Sequence, residues 1–248
     1  MVINELPVGS IVRLGRYALG HRPDEMIDID WIKVSRQNDF IAQKVLLGMQ
    51  YDALENWNEN TDYSYSNIRQ FMNSDQHSWF HPTHPHDVCS SYITLDNWVS
   101  INISKYSGLL SFFYDEELKL IEQSGHDSLR LPTAAEVIGG FPYFKRYGKR
   151  AHPVTQYGEL AYDCFRESMF ARYYVTGSER RPVCEMDRAG NICEISPAKY
   201  SGVRPVCKIQ SDAEVIETGK NTYKMNISST GPVKFFKETQ PLDWLLGL

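Results

Sequence analysis

Tyr200-Ser-Gly-Val-Arg-Pro-Val-Cys-Lys-Ile209 is the stretch on which the fold turns. Gly202 can adopt a positive φ, Pro205 fixes its own φ and donates no backbone hydrogen bond, and Val203, Val206 and Ile209 are β-formers. A turn followed by one short strand is predicted. Arg204 is then half-buried or buried, a structural residue whose guanidinium bonds loop carbonyls or a carboxylate. The lead-in Arg181-Pro-Val-Cys-Glu-Met-Asp-Arg-Ala-Gly-Asn-Ile-Cys-Glu-Ile195 reads as a hairpin around Asp187-Arg-Ala-Gly-Asn191, with Gly190 at the position needing unusual dihedrals. Three short strands in meander order therefore close the globular part.

Working outward, Val8–Tyr17 alternates apolar and polar residues and predicts a strand. Residues 27–35 place Ile27, Ile29, Trp31 and Lys33 on one side and Ile32 and Val34 on the other, a second strand. A turn at Arg36-Gln-Asn-Asp39 leads to a third over 39–48. Ser64 or Ser66 can cap a helix over 66–73 with Ile68, Phe71 and Met72 at helical spacing. Residues 116–122 give one or two helical turns ended by Gly125. Arg130–Ile138 gives a third helix, with Thr133 and Glu136 spaced as a capping box. Residues 141–162 read as a long irregular loop, and 169–176 as a strand. After Gln210 the texture changes: Thr222–Ser228 alternates, and Leu242-Asp-Trp-Leu-Leu-Gly-Leu248 is apolar. The division expected is a domain over 1–210 and an appendage over 211–248, whose apolar end must be buried on its own domain or on a partner subunit.

The totals bound the function classes. With 248 residues and 42 % hydrophobic content the chain can build a real core. A net charge of −5 with scattered basic residues opposes a nucleic-acid surface, which needs concentrated positive charge. No apolar run reaches membrane-spanning length. The start, Met-Val-Ile-Asn-Glu-Leu-Pro, lacks the basic and apolar regions of a secretory leader, so synthesis in the cytoplasm without a cleaved signal is expected. Five cysteines form no C-x-x-C pair, although Cys184 and Cys193 flank the hairpin and could face each other across it.

Five segments in order resemble the bacterial and phage family known as domain of unknown function 6273. They are Gly9-Ser-Ile-Val-Arg-Leu-Gly-Arg-Tyr17, Asp30-Trp-Ile-Lys-Val34, Ser66-Asn-Ile-Arg-Gln-Phe-Met-Asn73, Leu129-Arg-Leu-Pro-Thr-Ala-Ala-Glu-Val137 and Gly202-Val-Arg-Pro-Val206. The resemblance implies an α+β, C-type-lectin-like fold, in which small antiparallel sheets and two or three short helices carry long irregular loops. Formylglycine-generating enzymes and phage receptor-binding proteins are akin in fold. It also implies a virion setting, as a receptor-binding protein or a capsid or tail decoration. Two departures stand out. Phe71-Met72 replaces the family's tryptophan-leucine, and Tyr174-Val-Thr-Gly-Ser178 replaces a strand that carries an arginine. Residues 211–248 are not covered.

Candidate chemistry concentrates in loops. His77, His81, His84 and His86 are four of the seven histidines within ten residues, a spacing that can converge on zinc or another transition metal, including across an oligomer axis. Pro82 and Pro85 hold that run extended, which favours a solvated loop instead. The acidic group Asp24, Glu25, Asp28 and Asp30 lacks a calcium-lectin signature. Cys193 and Cys207 occupy the region where a formylglycine-generating oxidase needs paired thiols, but their neighbours are apolar, where thiols are inert. Trp57, Tyr63, Tyr65, Tyr143, Tyr147 and Tyr157 interleave with Asn, Asp, Lys and Arg, a composition suited both to binding carbohydrate or protein and to filling a loop-rich core. A non-enzymatic binding and display module is the reading these residues favour. No cofactor is expected beyond the possible metal, and the partners are subunits held through 211–248, a homo-oligomer among them.

Overall fold

The computed structural model describes residues 1–18, 26–57, 63–76, 79–83, 87–89, 92–94, 100–102, 108–147, 169–172, 183–186 and 191–227. The class is α+β, dominated by strands with a few short helices. One sheet has six strands in the order β11-β3-β2-β1-β13-β12. Its members are β1 (Ile11–Ala18), β2 (Met26–Lys33), β3 (Asp39–Ala42), β11 (Val206–Lys208), β12 (Val215–Gly219) and β13 (Thr222–Met225). The other has seven, in the order β6-β5-β4-β10-β7-β8-β9. These are β4 (Leu47–Gln50), β5 (Tyr92–Thr94), β6 (Ser100–Asn102), β7 (Met169–Arg172), β8 (Val183–Met186), β9 (Ile192–Ile195) and β10 (Tyr200–Val203). The helices are α1 (Leu54–Trp57), α2 (Asn67–Met72), α3 (Asp115–Leu118) and α4 (Pro142–Tyr147). Among the described residues no helix is long and apolar enough to cross a membrane.

Strand alternation explains how the first sheet is covered on both faces. Val12, Leu14, Ile29, Trp31, Phe40, Ala42 and Cys207 point into the main core, while Ile32, Val34, Ile41 and Val206 point into a second cluster with Val137, Phe141 and Phe144. The expected meander of β1, β2 and β3 is present, with Val12 opposite Trp31 and Ile32 opposite Ile41. The indole Nε1 of Trp31 donates to Leu14 O at 2.7 Å, so this core ring buries no orphan donor. Lys33 is 1 % exposed, and its ammonium donates to Ile3 O and Leu6 O at 2.8 and 3.0 Å, fastening the N-terminal turn Ile3–Glu5. Burial lowers its pKa.

The opening stretch is not one strand. Tyr200–Val203 lies in the second sheet between β4 and β7, Val206–Lys208 lies at the edge of the first, and Arg204-Pro205 is the crossover. The expected third strand over 39–48 is divided in the same way into β3 and β4. The two crossovers run side by side: Ala42 N donates to Pro205 O at 2.9 Å and Leu46 N donates to Val203 O at 2.9 Å. Arg204 Nε donates to Ala42 O at 2.6 Å, a carbonyl partner of the kind expected. Proline suits this place because no ladder partner is needed for its missing N–H. Gly202 takes no left-handed φ; it is an extended residue of a central strand, opposite Gly48 and beside Met169.

Further differences have local causes. The hairpin of β8 and β9 forms, but β10 returns beside β7, so the closing strands are not a meander. Residues 141–162 begin as helix α4, because Phe141 and Phe144 are a helical turn apart and both bury in the second cluster. Residues 211–227, expected in an appendage, supply β12 and β13, and β13 pairs in parallel with β1. Ala213, Val215, Tyr223 and Met225 join the main core. The apolar end 228–248 lies outside the described residues.

Candidate functional site

The motif Ser66–Asn73 is a frame for the site. Ser66 Oγ accepts from Arg69 N at 3.3 Å, the expected N-cap, and Ile68, Phe71 and Met72 are buried. Arg69 makes a two-pronged ion pair with Asp127, at 2.9 and 2.8 Å. Asn73 Oδ1 accepts from Ser128 N and Leu129 N, both at 2.8 Å, and its Nδ2 donates to Leu129 O at 2.7 Å. The Leu129–Val137 segment then pairs through Arg130 with Val206, N to O in both directions at 2.9 and 2.7 Å. Its expected capping box is present: Glu136 N donates to Thr133 Oγ1 at 3.1 Å and Thr133 N to Glu136 Oε2 at 2.7 Å. Ser66–Asn73, Leu129–Val137 and Gly202–Val206 thus hold one another.

On this frame the described parts of two candidate stretches, 51–65 and 77–86, come together with the residues that follow the second, 87–89. Asn56 of α1 joins them: its Nδ2 donates to Val88 O at 2.9 Å and its Oδ1 accepts from Val88 N at 2.8 Å. Asn67 at the start of α2 donates to the same Val88 carbonyl at 3.2 Å. His81 N donates to Gln70 Oε1 at 2.8 Å, and Trp79, 1 % exposed, packs edge-on against Phe71 with centroids 5.7 Å apart. Thr83 closes on Asp87 through N and Oγ1 at 2.7 and 2.6 Å.

Beneath the junction sits Asp52, 3 % exposed. Its Oδ1 accepts from Ala53 N and Asn56 Nδ2, both at 2.8 Å. Burial pushes its pKa up to about 6 against these hydrogen bonds, and Asp87 adds to the rise. Near the junction in sequence, three large apolar side chains are exposed: Leu54 is 53 %, Tyr65 39 % and Val88 40 % exposed. Each is within two residues of Asn56, Asn67 or Val88 itself, so the hydrogen-bonded node fixes their backbones relative to one another. Exposed apolar side chains close in sequence to a hydrogen-bonded node, with polar neighbours, have the composition of a recognition surface.

The other site expectations divide. Tyr63 is 8 % exposed, and its hydroxyl accepts from Leu131 N at 3.3 Å, so it is a packing residue. Tyr143 is half-buried against Phe144 at 5.5 Å, far in sequence from the 51–89 surface and packed on the second apolar cluster. Tyr65 is exposed as a binding residue must be. The side chains of Trp57 and Tyr147, and all of Tyr157, lie outside the described residues, as do His77, His84, His86, Asp24 and Glu25. His81 is exposed, and no group of three metal-ligating side chains occurs among the described residues. Asp28 and Asp30 face Arg13, at 3.4 and 3.1 Å.

Cys184 and Cys193 do not face each other across the hairpin. Cys184 is opposite Glu194 and Cys193 opposite Glu185, so the two thiols are one register step apart and point to opposite faces. Cys184 is buried and Cys193 exposed. Burial pushes the Cys184 thiol up to about 12. Cys193 and Cys207 stand on different sheets, and burial raises the pKa of Cys207 as well. Asn56, Asn67 and Leu54 were not singled out from sequence; their only signal was the Asn-rich texture around Trp57. No family model, curated protein or solved structure matches the chain.

Proposed function

We propose that the chain is a non-enzymatic binding and display module of C-type-lectin-like fold, whose ligand surface is the junction of residues 51–57, 63–70, 79–83 and 87–89. The observation that carries this reading is the Asn56–Val88 node, which joins two loop stretches close in sequence to exposed Leu54, Tyr65 and Val88. Support for a phage or prophage particle as the setting comes from the five ordered segments that resemble the domain of unknown function 6273. A carbohydrate or a protein is the ligand class that exposed aromatic and aliphatic groups beside amides and carboxylates suit.

The test is binding of the full chain to arrayed bacterial surface polysaccharides and to intact bacterial cells, beside a Leu54→Glu/Val88→Glu variant. Saturable binding that the variant loses at unchanged melting temperature is expected. Equal binding by both proteins overturns the assignment of the surface. A sulfatase-modifying oxidase remains the rival from the enzyme class; it requires two fast-labelling thiols at Cys193 and Cys207, whereas labelling of Cys193 alone is expected here.

A further inference from the structure

Arg204 carries a feature that its structural role leaves unused. It is 1 % exposed, and Nε alone is satisfied, on Ala42 O at 2.6 Å. Nη1 and Nη2 are buried with no hydrogen-bond partner. Burial lowers its pKa to about 10, which leaves the guanidinium charged at neutral pH. A buried cation without a counter-charge costs several kcal/mol, roughly the desolvation of one ion. Tyr143, a half-buried phenol at the start of α4, is uncharged at neutral pH and supplies no counter-charge. No described carboxylate reaches it, although Glu185, Glu136 and Asp39 are all at least partly buried elsewhere in ion pairs.

We infer that Arg204 is the receptor of a small-anion site, its two unpartnered Nη groups taking a carboxylate. Two N–H groups on one guanidinium edge match the two oxygens of a carboxylate, and in an apolar surround that pair is strong. The ligand is the carboxylate group of a small molecule or of a peptide terminus. Its source is separated by the probes: formate and acetate for the group alone, and a tripeptide with a free or an amidated C-terminus for the peptide.

The experiment follows the arginine side-chain resonances of the 15N-labelled full chain while formate or acetate replaces chloride at constant ionic strength, with melting temperature measured in parallel. A saturable shift confined to the Arg204 signals is expected, with a rise of about 3–6 °C at tenfold excess over the midpoint. Arg204→Met is expected to lose both effects. Arg204→Lys, which keeps the charge without the fork, is expected to weaken the midpoint at least tenfold, and serves alone if the methionine variant does not fold. Absence of a saturable shift, an equal thermal response in Arg204→Met, or an unchanged midpoint in Arg204→Lys overturns the inference. So does slow exchange of the Nη protons in chloride alone, which signals that the fork is already filled from within the chain.

Discussion

Gly15 has space for a hydrogen and for nothing larger. Its φ is +72°, and a Cβ there would lie 2.3 Å from Phe113 Cε1. It sits where the β1–β2 register slips between Arg13 and Arg16, and its N–H donates to buried Glu117 Oε1 at 2.9 Å. Gly15→Ala is expected to cost about 2–4 kcal/mol in urea unfolding, from a left-handed backbone and an overpacked ring together. Asp52 makes the pH-dependent prediction. Its folded pKa, about 6, lies above its ordinary value of 3.8, so the folded state binds the extra proton. The sign follows: stability is greatest below pH 4 as far as this group is concerned, and is lost as pH rises through 6, by about 2–3 kcal/mol. Asp52→Asn keeps the acceptor and removes the charge. Its unfolding free energy is expected to be flat from pH 4.5 to 7.5 relative to the parent, and an identical slope in both proteins would refute the assignment. Neither residue was legible in the sequence. Gly15 looks like any strand glycine until Phe113 is placed against it, and Asp52 is one acid in a polar run until burial is known.

Helix α2 is the element most completely written in the sequence. A serine cap and three apolar residues at helical spacing are local signals, and each has its predicted role. The capping box of Thr133 and Glu136 was legible for the same reason, although the turn that follows is wide, with Phe141 N donating to Glu136 O at 2.9 Å. The paired crossovers were not. A strand that leaves one sheet for another keeps its β-forming residues, and the partner 162 residues away in the chain has no local trace. Asn73 shows what the element scale adds: one side chain satisfies two N–H groups and a carbonyl of the neighbouring segment. Asn73→Ala is expected to destabilise by roughly 2–3 kcal/mol, since half-buried backbone donors are left unmade. A denaturation midpoint within error of the parent would mean that water replaces all three bonds.

Across the whole molecule, the N-terminal strand, both crossovers and the β12–β13 hairpin share one core. A chain ending at residue 210 removes two strands of the first sheet and exposes Val12 and Leu14, and loss of cooperative unfolding is expected. A chain ending at Ile227 keeps every described strand and is expected to melt cooperatively, which makes it the proper test of whether 228–248 holds partner subunits. The paired loops at 51–89 matter functionally only if they act as one surface. Asn56 is where that can be measured, because it is 7 % exposed and supplies both hydrogen bonds to Val88. Amide hydrogen exchange at Val88, read beside ligand affinity on the array, compares the parent with Asn56→Ala. Protection of Val88 in the parent, its loss in the variant and a fall of tenfold or more in affinity are the result expected. Unchanged affinity after Val88 has lost its protection would contradict the account.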